Sequence, residues 1–276
     1  MSGATDYSNP NALVEADWLE VHLDDPALRV VEVDVSPKSY AEGHLPGAVF
    51  WDIYKTLKDA TYRLVDQETL AKIFSASGIG PDTKVVFYGY GPALGYWLLK
   101  HYRHADAAIL NMSKQRWREE GRPWTSEVAQ PAPVRYDLPS PDDALRASQP
   151  AVEAAIGAAG CALLDVRAGV EFRGERFWPS GATEGAGRAG HVPGAINVPP
   201  DGLLRADGSF APVDALRRVF PAKIDDVREL VTYCTIGNRA SLAWFVLTEL
   251  LGRPNVRVYD GSWAEWGLLP GTPLER

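Results

Sequence analysis

Short aliphatic runs alternate with longer stretches of helical periodicity from one end of the chain to the other. Residues 30–34 (Val-Val-Glu-Val-Asp) and 162–166 (Ala-Leu-Leu-Asp-Val) are apolar runs closing at or near an acid and flanked by turn formers, which predicts buried strands. Residues 84–89 and 229–234 read the same way, and each is followed by a glycine-containing turn and a helical stretch. Residues 107–110 and 255–259 add a further strand to each half, while 68–77 and 213–220 have helical patterns. Strands separated by helices predict an α/β fold with a parallel sheet in each half.

The halves are copies. Gly-His-Leu-Pro-Gly-Ala at 43–48 returns as Gly-His-Val-Pro-Gly-Ala at 190–195, and the segment at 113–121 matches that at 261–267. Between the copies, residues 126–150 hold five prolines and little apolar periodicity, the composition of an extended linker. The predicted organisation is a first domain over 1–125, a linker over 126–150 and a second domain over 151–276. Glycine-rich residues 180–190 are an insertion that the first copy lacks, expected to form a surface loop.

Composition narrows the classes of function. The chain has 276 residues, 46% hydrophobic and 23% charged, which suits globular domains, and its net charge of -8 argues against a general nucleic-acid partner. An anionic substrate therefore needs local positive charge. No apolar run approaches the roughly 18 residues of a membrane span, and the first 11 residues are polar, so a soluble cytoplasmic protein is expected. The two cysteines, Cys161 and Cys234, are read as thiols, and the spacing of cysteine and histidine suggests neither a metal site nor a cofactor.

The segment 232–241 (Thr-Tyr-Cys-Thr-Ile-Gly-Asn-Arg-Ala-Ser) carries the candidate chemistry. It puts Cys234 at the carboxyl end of a strand and the mouth of a helix predicted over 240–251, where ligands of open parallel sheets bind. Loop amides and the helix dipole favour a thiolate or bound anion there. Gly237 fits a tightly curled loop, and Arg239 offers a planar fork of donors for an oxyanion. Cys161, opening a strand, reads as an inert small hydrophobe. His44 and His191 sit in matching turns, although only one half has the loop cysteine, so they are assigned to the fold. His101 and His104 are expected on a solvated helix face. Trp263 is read as core or as a wall of the pocket, and Asp165 as a carboxylate bracing its loop.

Cys-x-x-Gly-x-Arg after a buried strand, Asp-x-Arg at 165–167, Gly-His-x-Pro-Gly-Ala at 190–195 and Tyr-Asp-Gly-Ser-Trp at 259–263 together resemble the rhodanese family. The resemblance covers nearly the whole chain and implies tandem domains with the nucleophile only in the second, since Gly89 stands in the cysteine's place. It implies a sulfurtransferase in which Cys234 takes a sulfane sulfur as a persulfide and passes it to cyanide or a thiol, including that of a thioredoxin-like protein. By the same resemblance, Thr235, Ile236, Gly237 and Asn238 line the sulfur-binding loop, and Arg239, Arg167 and Arg188 are candidates to hold the donor's anionic end. A cysteine phosphatase needs Cys-x5-Arg, whereas here residue 240 is alanine and the arginine arrives one position early. A noncatalytic binding module is disfavoured by the intact loop.

The sulfur donor is the finest expectation. By the resemblance, uncharged Thr235 and Ile236 lean toward 3-mercaptopyruvate, but Arg239 puts a cation at the loop's sixth position, where the pattern of that subgroup has a hydroxyl residue. Glu171, before Phe172, stands where both subgroups often carry a substrate-binding arginine, and an acid there is expected to repel an anionic donor unless Arg173 or Arg188 compensates. The balance favours thiosulfate.

Overall fold

The computed structural model describes residues 6–276. In the first half, β1 (Leu13–Val14), β2 (Leu28–Asp34), β3 (Val49–Asp52), β4 (Lys84–Gly89) and β5 (Ala107–Leu110) form a parallel sheet in the order β1-β5-β4-β2-β3. Helices α1 (Ala16–His22), α2 (Pro37–Glu42), α3 (Gln67–Ala76), α4 (Pro92–His101) and α5 (Lys114–Glu119) flank it. In the second half, α6 (Gln149–Ala155) and α7 (Gly169–Phe172) accompany β6 (Cys161–Asp165) and β7 (Ile196–Asn197). The remaining elements are α8 (Val213–Val219), β8 (Glu229–Tyr233), α9 (Asn238–Phe245), β9 (Val256–Val258) and α10 (Ser262–Leu268). Their sheet runs β7-β6-β8-β9, again parallel throughout.

Burial explains why the central strands are continuous apolar runs. Residues 230–233 of β8 and 85–88 of β4 are buried along their whole length, as strands covered by helices on both faces must be. The repeat is reproduced atom for atom at one point: Tyr88 Oη accepts from Leu45 N at 3.2 Å, and Tyr233 Oη accepts from Val192 N at 3.1 Å. With those tyrosines equivalent, Gly89 occupies the position of Cys234. His44 and His191 also repeat each other, each giving Nδ1 to a backbone carbonyl and stacking on an aromatic ring, Tyr40 at 3.8 Å and Phe172 at 3.6 Å.

The two domains meet through α4 and α9, the helices that follow the two equivalent loops. Tyr96 sets its ring edge against Phe245 at 4.9 Å and reaches Trp244 at 6.3 Å. The helix starts come equally close, because a Cβ on Gly91 would lie 2.6 Å from Asn238 Oδ1. The helix predicted over 240–251 differs in its last turn, since α9 ends at Phe245 and residues 246–250 widen into a π-helical turn. Among the described residues no helix is long and apolar enough to cross a membrane.

The linker packs along the first domain before crossing to the second. Val134 N donates to Ser75 O at 3.1 Å, and Ala147 N to Val258 O at 2.9 Å, where Arg146 bridges β9 in parallel. This packing corrects the expectation for His101 and His104, which are buried rather than solvated, at 1% and 2% exposure. His104 lies past the end of α4, with Nε2 against Thr83 O at 2.8 Å and Nδ1 against Tyr136 Oη at 3.0 Å. The linker supplies Tyr136 and the Asp142 carbonyl that His101 Nδ1 meets at 2.9 Å, so a helix face that would be wet in a single domain is covered.

Burial lowers the basicity of both rings, with the backbone contacts only partly opposing it. Each ring therefore takes up a proton more readily in the unfolded chain. Stability is full above the ordinary histidine value of about 6.5 and falls as pH drops through the window below it. Melting temperatures recorded from pH 7.5 to 5.5 are expected to fall, and to fall less in His104→Gln than in the parent.

Candidate active site

Cys234 follows β8 directly, with 1% of its surface exposed. Residues 235–240 turn from the strand into α9, and Gly237 at φ 90° makes the turn in the left-handed region that a side chain would disfavour. A Cβ at Gly237 would also lie 2.7 Å from Asp260 O. The segment between β9 and α10 grips the loop from that side. Cys234 N donates to Ser262 Oγ at 3.1 Å, Trp263 N to Cys234 O at 3.0 Å, and Ala264 N to Thr235 O at 2.8 Å. Ser262 Oγ in turn donates to Tyr259 O at 2.7 Å, which fixes its lone pairs toward the cysteine amide.

This scaffold leaves the loop's own donors open. Among the described residues, none of the backbone amides of 235–240 donates to a protein acceptor, although five of those six residues are buried. Buried amides are almost always paired, so a curl of open donors at a helix start is a seat for an anion. Cys234 opens the loop that bears that seat.

Thr235, Ile236, Asn238, Arg239 and Cys234 line one cavity of about 630 Å3, a volume ordinary for a small-molecule site. Its other walls were not foreseen from sequence. Tyr54, Tyr62 and Tyr90 come from the first domain, and Trp178 and Glu184 from the neighbourhood of the 180–190 insertion. Tyr90 follows Gly89 directly, so its place beside the site follows from the packing of the two equivalent loops. The insertion is exposed over 180–186, as expected of a surface loop, and closes one side of the cavity.

The arginines divide. Arg239 is at the cavity but is gripped by Glu171, with Nη1–Oε2 at 2.8 Å and Nη2–Oε1 at 2.9 Å. Thr235 Oγ1 completes the knot, accepting from Arg239 at 2.6 Å and donating to Glu171 Oε1 at 2.9 Å. Burial pushes the Glu171 carboxyl up, but the Arg239 fork and the Thr235 hydroxyl outweigh it and hold the group below its ordinary value. Glu171 is thus the partner of Arg239 and not a bare acid facing a donor. Arg173, proposed to compensate it, points away to Glu175 at 2.6 Å.

Arg167 and Arg188, candidates for the donor's anionic end, are not on the cavity lining. Arg167 is fully buried, forked onto Asp165 with its shortest contact at 2.6 Å, bonded to Gly190 O at 2.7 Å, and laid over the Trp263 ring at 4.6 Å. Asp165 therefore braces the turn, and Trp263, also fully buried, is core beneath the site. Arg188 ties down the end of α10, donating to Leu269 O and Thr272 O, each at 2.7 Å. A backbone carbonyl has no signature in sequence, which is why spacing alone could not separate these two roles from substrate binding. Cys161 lies at the start of β6, at the opposite end of the strands from Cys234, where burial pushes its thiol up.

The model of the rhodanese-like domain matches residues 15–120 and again 148–268. The chain is 41% identical over 98% of both lengths to the sulfur carrier protein TtuD of Thermus thermophilus. It is 39% identical, over 99% of its own length and 98% of the relative's, to a Haloferax volcanii protein provisionally named a thiosulfate sulfurtransferase. The crystal structure of the 3-mercaptopyruvate sulfurtransferase SseA from Escherichia coli superposes with a TM-score of 0.77 at 25% identity, covering 91% of this chain and 98% of that one. With its domain matched twice and a relative 41% identical over nearly the whole chain, the chain belongs to the rhodanese family of sulfurtransferases.

Proposed function

We propose that the protein moves a sulfane sulfur from thiosulfate to a thiol or cyanide acceptor through a persulfide on Cys234. The observation that carries this reading is the seat of open amides beside a buried thiol at the base of a cavity. The Cys234 thiolate attacks the outer sulfur of thiosulfate, the sulfur–sulfur bond breaks with its electron pair leaving on sulfite, and a persulfide anion remains. An acceptor nucleophile then attacks the outer sulfur and the electron pair returns to Cys234 as thiolate. The loop amides of Thr235, Ile236, Gly237 and Asn238 stabilise the anionic sulfur in both states.

Charge around the cavity favours thiosulfate over 3-mercaptopyruvate. A carboxylate donor calls for a free bidentate fork. Arg239 is engaged by Glu171, and Arg167 and Arg188 are committed elsewhere. A small dianion held chiefly by amides needs no such fork. The aromatic mouth, with Tyr54 at 43% and Tyr90 at 56% exposure, suits an acceptor thiol carried on a small protein such as a thioredoxin-like one. That a relative is named a sulfur carrier supports such a hand-over.

Three results are expected. Mass spectrometry after incubation with thiosulfate should find one added sulfur on Cys234, and Cys234→Ser should neither gain it nor turn over, while Cys161→Ser does both. Steady-state kcat/KM measured with one acceptor should be higher for thiosulfate than for 3-mercaptopyruvate, and the reverse order would reject the donor assignment. Glu171→Gln should free Arg239 for the donor, lowering the KM for thiosulfate several-fold while costing about 3 kcal/mol of stability in urea titrations, because it half-unpairs a largely buried cation.

A further inference from the structure

A buried charge cluster lies against the Cys234 loop and joins three parts of the chain. Lys58 comes from the excursion 53–64 of the first domain, Arg146 from the linker, and Asp260 from the turn between β9 and α10. The Asp260 carboxylate accepts from Arg146 Nε at 2.7 Å and Nη2 at 3.2 Å, and from Leu64 N at 2.8 Å. Lys58 Nζ lies 3.6 Å from that carboxylate and donates at 2.9 Å to the backbone oxygen of Asp260. The side chains of Lys58 and Asp260 are 1% and 2% exposed.

Two features make this more than an interdomain tie. First, the Asp260 carbonyl faces the sulfur-binding loop, since it is the atom that a Cβ on Gly237 would strike. Left bare, its negative end would oppose an anionic sulfur; the Lys58 ammonium takes it as an acceptor. Second, two cations meet one carboxylate, leaving one surplus positive charge. Burial lowers the basicity of Lys58, with Asp260 only partly opposing it, and the cations keep the Asp260 carboxyl below its ordinary value despite its burial. Nearby Glu265 does not cancel the surplus, because Arg63 lies 3.5 Å away as its own counter-ion.

We propose that Lys58, from the domain without a nucleophile, is an electrostatic positioning residue that masks the Asp260 carbonyl and stabilises the anionic sulfur on Cys234. Lys58 and Arg239 both lie within electrostatic reach of Cys234. Arg239 is paired with Glu171, whereas Lys58 belongs to a group of two cations on one carboxylate. The inference rests on reading Cys234 as the sulfur carrier.

The test is the rate of Cys234 alkylation by iodoacetamide at pH 7 in a Cys161→Ser background, with sulfur uptake from thiosulfate followed in parallel. Lys58→Met is expected to slow alkylation about tenfold, the size of effect that one nearby opposite charge has on a titrating group. Lys58→Arg should recover most of the rate. Asp260→Asn, which keeps acceptors and removes the negative charge, should alkylate at or above the parent rate, whereas a purely mechanical clamp would make both Lys58→Met and Asp260→Asn slow. Folded Lys58→Met alkylating at the parent rate, or both variants slowed alike, overturns the role of Lys58. Should Lys58→Met not fold, Arg146→Gln, a third exposed, is expected to slow alkylation about threefold, and an unchanged rate overturns the proposal equally. Absence of sulfur uptake by the parent protein would instead overturn the reading of the site itself.

Discussion

Amides without protein acceptors cannot stay open inside a protein unless something else holds the loop that bears them. Here the hold is a short set of backbone bonds from residues 262–264 to the chain at 234 and 235, with the Ser262 hydroxyl as the hinge piece. The strain is visible on the gripping side, where Ser262 itself sits at φ 55°, a conformation uncommon outside glycine. Everything else around the site serves this arrangement: Trp263 and Arg167 fill the space behind it, Arg188 anchors the far end of α10, and Asp260 is pinned from the first domain.

The first domain has the same strand order around its central strands and the same tyrosine and histidine contacts, yet ends β4 in glycine. Its value to the molecule lies at the interface. It supplies three tyrosines to the cavity, the helix against which α9 packs, and a lysine to the buried cluster. The copy with glycine in place of the cysteine thus contributes wall and buried charge beside the loop of the other.

Much of this was legible in the residues. Strand positions, the parallel α/β class and the loop around Cys234 follow from apolar periodicity and from a cysteine placed between strand and helix. The roles of the arginines were not. Arg167, Arg188 and Arg239 are alike in sequence, but one is matched to a carboxylate two residues away, one to helix-end carbonyls more than 75 residues on, and one to Glu171 across the domain. Charge balance of this kind depends on tertiary distance, which spacing does not encode. His101 and His104 failed for a related reason, because the linker that buries them carries no periodic signal of its own.

The parallel bridge of Arg146 to Val258 has a further consequence. Strand β9 closes one side of its sheet, and an open strand edge is a template on which another chain can pair and begin to aggregate. In the first sheet the equivalent side of β5 is covered by β1, but among the described residues the second half has no such strand of its own. The tail of the linker lies there instead, so the tether between the domains also acts as the guard of an otherwise open edge.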